Sequence, residues 1–121
     1  MDSIRVLHLG NPTGLYGAER WILALIRYLP MSRVESVVGV IEDQVKPDVP
    51  ELLERSEALG FETVRFRSIG RISTSAISQI RDFVRRERIN VLHTHGYKTD
   101  IVGLLAVLGT GCQLVTTPHG W

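Results

Sequence analysis

Five short apolar runs alternate with four stretches of helical period along these 121 residues, and few architectures can absorb that pattern. The runs are Ile4–Gly10, Val34–Glu42, Phe61–Phe66, Val91–His95 and Gln113–Thr117, several rich in branched residues and bounded by turn residues such as Asn11-Pro12, which predicts strands. Between them, Ile22, Leu25, Ile26 and Leu29 recur at i, i+3, i+4 and i+7 within Ala18–Leu29, one stripe of a helix that Pro30 stops. The segment ELLERSEAL is entered through Pro50 and stopped by Gly60. Ile77, Ile80 and Val84 mark a third helix over Thr74–Arg88. The fourth, Thr99–Leu108, carries Ile101, Leu104, Leu105 and Leu108 on one side and is apolar elsewhere too, so it is expected to be well buried. Continuous apolar strands joined by helices predict an α/β fold: a doubly wound parallel sheet of five strands in the order 3-2-1-4-5, its switch point between strands 1 and 4.

The length suits one domain, and an apolar content of 44% is enough for a core. A formal net charge of +1 gives bulk electrostatics no hold on nucleic acid or on a membrane surface. Cys112 is the only cysteine, which excludes an internal disulfide, and the opening MDSIRVLHLG lacks the pattern of a secretory signal. A reducing, cytoplasmic setting follows as the expectation. The most apolar stretch, Ile101–Leu108, falls far short of the roughly 20 residues that cross a bilayer.

Chemistry concentrates in two places. Asn11–Gly17 (NPTGLYG) joins the first strand to the first helix, and Gly14 and Gly17 there can bring bare backbone close to a phosphate or a sugar hydroxyl at a helix N-terminus. It is neither a Walker A loop nor a dinucleotide fingerprint, since Pro12 stands where the first glycine of G-x-G-x-x-G would be. Glycines that merely permit a tight turn explain the loop equally well.

The second place is Val91–Trp121, which holds three of the four histidines. His93 and His95 point to one side of a strand, an acceptable spacing for two metal ligands, but a zinc site needs a third or fourth and Cys112 falls at the opposite end of strand 5; no metal is therefore expected. His93 and His8 are read as hydrogen-bonded core histidines. His95 closes its strand, which puts its ring at the crevice rim. His119, after Thr116-Thr117-Pro118, can exchange hydrogen bonds with a substrate hydroxyl, or can be an ordinary loop histidine. No G-x-S-x-G nucleophile elbow occurs, and Leu9-Gly10-Asn11 lacks the acidic residues of a phospho-receiver. Arg81, Arg85, Arg86 and Arg88 are expected on a solvated helix face that complements the helix dipole.

Four segments taken in order, IRVLHLG, GLYGAERWILALIRYL, INVLHTHGYKTDIVGLLA and LVTTPHGW, resemble the N-terminal, Rossmann-like domain of a GT-B retaining glycosyltransferase of family 4. The resemblance implies transfer of a sugar from a nucleotide-sugar donor to a glycan or lipid-linked acceptor, with no cofactor beyond that donor. It implies that Gly17 approaches the donor phosphates or the acceptor through its backbone, with Gly14 and Tyr16 beside it; Tyr16-Gly17 stands where the family often has two glycines. His95 and Gly96 would line the acceptor side, and His119 with Gly120 would meet the transferred sugar, His119 being the residue assigned to catalysis. The family's C-terminal nucleotide-binding domain has no counterpart in residues 1–121, so the chain is expected to be a single, incomplete N-terminal domain, inactive alone and prone to self-association, with peripheral contact at the inner membrane face compatible with the family. The rival reading is a non-catalytic Rossmann-like module that binds a sugar phosphate or a protein. A nicotinamide-dependent dehydrogenase domain is disfavoured by Pro12.

Overall fold

The computed structural model describes residues 3–10, 17–43, 48–68 and 73–117, with the backbone alone at residues 97 and 98. The elements run β1 (Ile4–Gly10), α1 (Gly17–Tyr28), β2 (Val34–Glu42), α2 (Glu51–Ala58), β3 (Glu62–Arg67), α3 (Thr74–Arg86), β4 (Val91–Thr94), α4 (Tyr97–Val107) and β5 (Gln113–Thr116). All strand pairings are parallel and the sheet order is β3-β2-β1-β4-β5, as the alternation of periods predicts. Boundaries shift by one or two residues: β4 ends before His95, α3 ends at Arg86 and α4 starts at Tyr97.

Parallel strands are covered on both faces, and alternate residues of one strand enter different cores. Leu7 and Leu9 of β1, with Val37, Ile41, Phe66 and Leu92, pack under α3 and α4 through Ile80, Phe83, Val84, Val102 and Ala106. On the other face Val38 and Val40 meet Ile22 and Ile26 of α1 and Leu52 and Leu53 of α2. Of the stripes read from the sequence, Ile22 and Ile26 of α1 and Ile80 and Val84 of α3 are buried, while Leu25, Leu29 and Ile77 are half-buried. Each such leucine or isoleucine contributes about 1.5–3 kcal/mol. Ser73 caps α3 by accepting a hydrogen bond from the Ala76 amide at 3.1 Å.

Helix α4 departs from expectation. Thr99, Val102, Gly103, Ala106 and Val107 face the protein, while Ile101, Leu104 and Leu108 are exposed. The reason is space. A side chain at Gly103 would meet Thr94 Cγ2 at 2.8 Å and Leu92 Cδ2 at 3.2 Å, so the helix lies too close to β4 for its leucines to turn inward. Arg81 is also not solvated as predicted: its Nη2 and Nε donate to the Leu105 and Ala106 carbonyls of α4 at 2.8 and 3.2 Å, satisfying groups that a helix C-terminus leaves open. Arg85, Arg86 and Arg88 are exposed, as expected.

At the amino-terminal edge of the sheet, Arg5 lies 3.5–3.7 Å from carboxylate oxygens of Glu35, Glu62 and Glu87. Its amide donates to Asn90 Oδ1 at 2.8 Å, fastening β1 to the turn before β4. On β2–β3, Arg65 holds the largely buried Glu42 carboxylate with a two-pronged contact, Nη2 to Oε1 at 2.9 Å and Nε to Oε2 at 3.1 Å.

Candidate functional site

The carboxyl ends of β1 and β4 lie side by side, and the chain leaves them toward opposite faces, into α1 from β1 and into α4 from β4. A crevice opens where connections diverge in this way, and ligands of such sheets bind there. Helix α1 begins at Gly17, whose added Cβ would find nothing within 4 Å among the described residues. Packing against the described residues thus does not require glycine at 17. Gly14, Tyr16, His119 and Gly120 lie outside the described residues.

Gly96 forms the second turn. Its φ of 107° is open to glycine and strained for any other residue, and its carbonyl accepts from the Asp100 amide at 2.9 Å and from Thr99 Oγ1 at 3.1 Å as α4 begins. Buried Thr94 donates through Oγ1 to Asp100 Oδ1 at 2.7 Å, so the aspartate of the H-x-H-G-Y-K-x-D segment ties the strand end to the helix, where its charge also suits the helix N-terminus.

The histidines differ from the sequence expectation in one respect. His8 and His93 are buried and hydrogen-bonded as predicted, with His8 Nδ1 to His93 Nδ1 at 3.1 Å, His8 Nε2 to Ser36 Oγ at 3.4 Å and His93 Nε2 to Thr117 Oγ1 at 2.7 Å. His95, expected at the rim, is 6% exposed, with its ring centroid 4.0 Å from that of His93. The two-residue spacing keeps it on the His93 face, and the chain turns at Gly96 directly after it. Burial, with the charge of His93 second, holds His8 down at about 3, so it is neutral at physiological pH. Glu19, not singled out in the sequence, is buried in the first turn of α1, with Oε2 3.8 Å from where a Gly10 Cβ would stand. Its signal was an acidic residue in a helix's first turn, which the dipole favours whether or not a ligand is near.

Glycine-bearing turns and buried polar groups at the switch point of a 3-2-1-4-5 parallel sheet define the Rossmann-like class of ligand-binding domains. Within that class, residues 16–121 match the profile of Glycosyltransferase Family 4, and the chain belongs to that family. Among solved structures it is similar to a glycosyltransferase from Rickettsia africae ESF-5, with a TM-score of 0.73, 12% identity, and coverage of 96% of this chain and 30% of that one. It is also similar to a Listeria monocytogenes protein described as a UDP-N-acetylglucosamine 2-epimerase, with a TM-score of 0.68, 16% identity, and coverage of 97% and 31%. A universal stress protein family member from Arabidopsis thaliana with AMP bound gives 0.57 at 14% identity, covering 97% of this chain and 92% of that one. At these identities the likeness is one of fold. The chain spans about 30% of the length of the first two structures. No curated protein matches it.

Proposed function

We propose that this chain forms the acceptor-side wall of a retaining glycosyltransferase of the GT-B kind, transferring a sugar from a nucleotide-sugar to a glycan or lipid-linked acceptor. Family membership over residues 16–121 carries the reading, and the space left at Gly17 among the described residues supports it. The N-terminal amides of α1 meet the donor phosphates or the acceptor across bare backbone, where oriented donors stabilise charge as it develops on the leaving diphosphate. The Gly96 backbone lines the acceptor side, and His95 supports it from beneath rather than from the rim. His119 meets the transferred sugar and orients it, a role that rests on the T-P-H-G-W resemblance alone. The donor's nucleotide half is bound by a second domain, and the reaction needs no cofactor besides the donor. Among the described residues no helix is long and apolar enough to cross a membrane, and the enzyme acts in the cytoplasm or against the inner membrane face.

The test uses the complete enzyme that carries this chain. His119→Ala lowers kcat for sugar transfer by at least about tenfold, equivalent to about 1.4 kcal/mol of transition-state stabilisation, with an unchanged melting temperature. Turnover per folded molecule that survives the substitution overturns the assignment. The isolated 121-residue chain transfers no sugar and hydrolyses no donor; turnover by it would sink the claim that a second domain is required.

A further inference from the structure

Three buried histidines, one on β1, one on β4 and one just past the end of β4, meet at the carboxyl end of the sheet, and the proposed sugar transfer does not use their ring nitrogens together. His8 and His93 are register partners on β1 and β4, so their side chains leave the same face of the sheet. His95 follows two residues later, and its ring tilts at 54° onto that of His93. One ring nitrogen from each of the three lies within 4.8 Å of the other two. Two imidazole nitrogens on one tetrahedral ion, each bound at about 2.0–2.1 Å, stand about 3.3 Å apart. The 3.1 Å between His8 Nδ1 and His93 Nδ1 is already close to that spacing, and His95 offers a third nitrogen within the 4.8 Å group.

The surroundings match as well. A histidine that binds a metal hands its remote ring N–H to an oxygen, which fixes the ring's orientation. Here the remote nitrogens of His8 and His93 face the hydroxyls of Ser36 and Thr117. In the sequence the His93-x-His95 pair lacks a third ligand; in the fold β1 supplies it from 85 residues away.

We propose that His8, His93 and His95 form a three-nitrogen site for a divalent d-block cation of the zinc class, with a fourth position open to water or an anionic oxygen. Three neutral imidazoles suit zinc, cobalt, nickel or copper; magnesium and calcium demand oxygen ligands and are rejected.

Chelator-stripped, dialysed chain is titrated with Co(II). The expected result is uptake of one equivalent with the intense visible bands of four- or five-coordinate cobalt, displaced by Zn(II) and unaffected by Mg(II). His95→Gln, its fold checked by far-UV circular dichroism and by its metal-free melting temperature, abolishes those bands. Thr117→Val leaves all three ligands in place and weakens cobalt binding by about 10–100-fold through loss of the outer hydroxyl; if His95→Gln does not fold, this variant decides alone. Absence of stoichiometric uptake at micromolar metal, a pale six-coordinate spectrum, or uptake unchanged by the variants overturns the proposal. Binding carried by His119 would survive both substitutions and falls under that last outcome.

Discussion

His8 makes the stability of the metal-free chain depend on acid. Its folded pKa is lowered to about 3 from 6.5, chiefly by burial. Between those values the unfolded chain takes up a proton that the folded chain refuses, so stability falls as pH drops below about 6.5 and stops falling near 3, by about 1.4 kcal/mol per pH unit at the steepest. Urea midpoints measured with chelator at pH 7 and pH 5 should therefore differ, and His8→Asn should narrow the gap. Gly17 offers a cleaner separation of fold from function. With open space around it among the described residues and a helix beginning there, Gly17→Ala should leave the melting temperature unchanged or raise stability by up to about 1 kcal/mol. In the complete enzyme the same methyl group should lower sugar transfer, as read by kcat/KM. Of the histidines, His8 and His93 were legible because each sits inside an apolar run, where an imidazole must find a partner. His95 was not, because it stands past the end of β4, where a strand pattern no longer says which way a side chain is covered.

Helix α4 shows where periodicity stops being informative. It is apolar all round, so the spacing of Ile101, Leu104, Leu105 and Leu108 describes a stripe without saying that the stripe faces inward. The stripe of small residues decides, because Gly103 and Ala106 let the helix sit against Leu92 and Thr94. Gly103→Val should accordingly cost about 1–3 kcal/mol by overpacking, whereas Leu104→Gln on the outer face should change stability by less than about 0.5 kcal/mol. Denaturant midpoints of the two variants check both, and the opposite ranking would restore the stripe first expected. Helices α1 and α3 were read correctly because each has a polar face to contrast with its apolar one. Arg81 was misread for a related reason: the acceptors that fix it, the Leu105 and Ala106 carbonyls, belong to another helix.

At the scale of the whole molecule, sheet order was the most legible property, since right-handed crossovers between parallel strands leave few ways to wind this pattern. The crevice followed from it, but four of the seven residues expected to line it, Gly14, Tyr16, His119 and Gly120, lie outside the described residues. Family membership rests on the match over residues 16–121; the fold alone is shared with proteins as different as the AMP-bound stress protein. The central strand also dictates an order of events as the chain is made. One side of β1 can pair with β2 at once, yet its other side waits for β4, whose seam joins residues such as Arg5 and Asn90 that are 85 apart. Loop closure of that length precedes any return from the contacts, which makes the seam a slow step. Leu92→Ala, in that seam and fully buried, should cost about 2–5 kcal/mol and slow refolding in stopped-flow experiments. Until roughly three quarters of the chain has left the ribosome, the strand destined for the middle of the sheet is an exposed edge, the state in which a nascent chain most needs a chaperone.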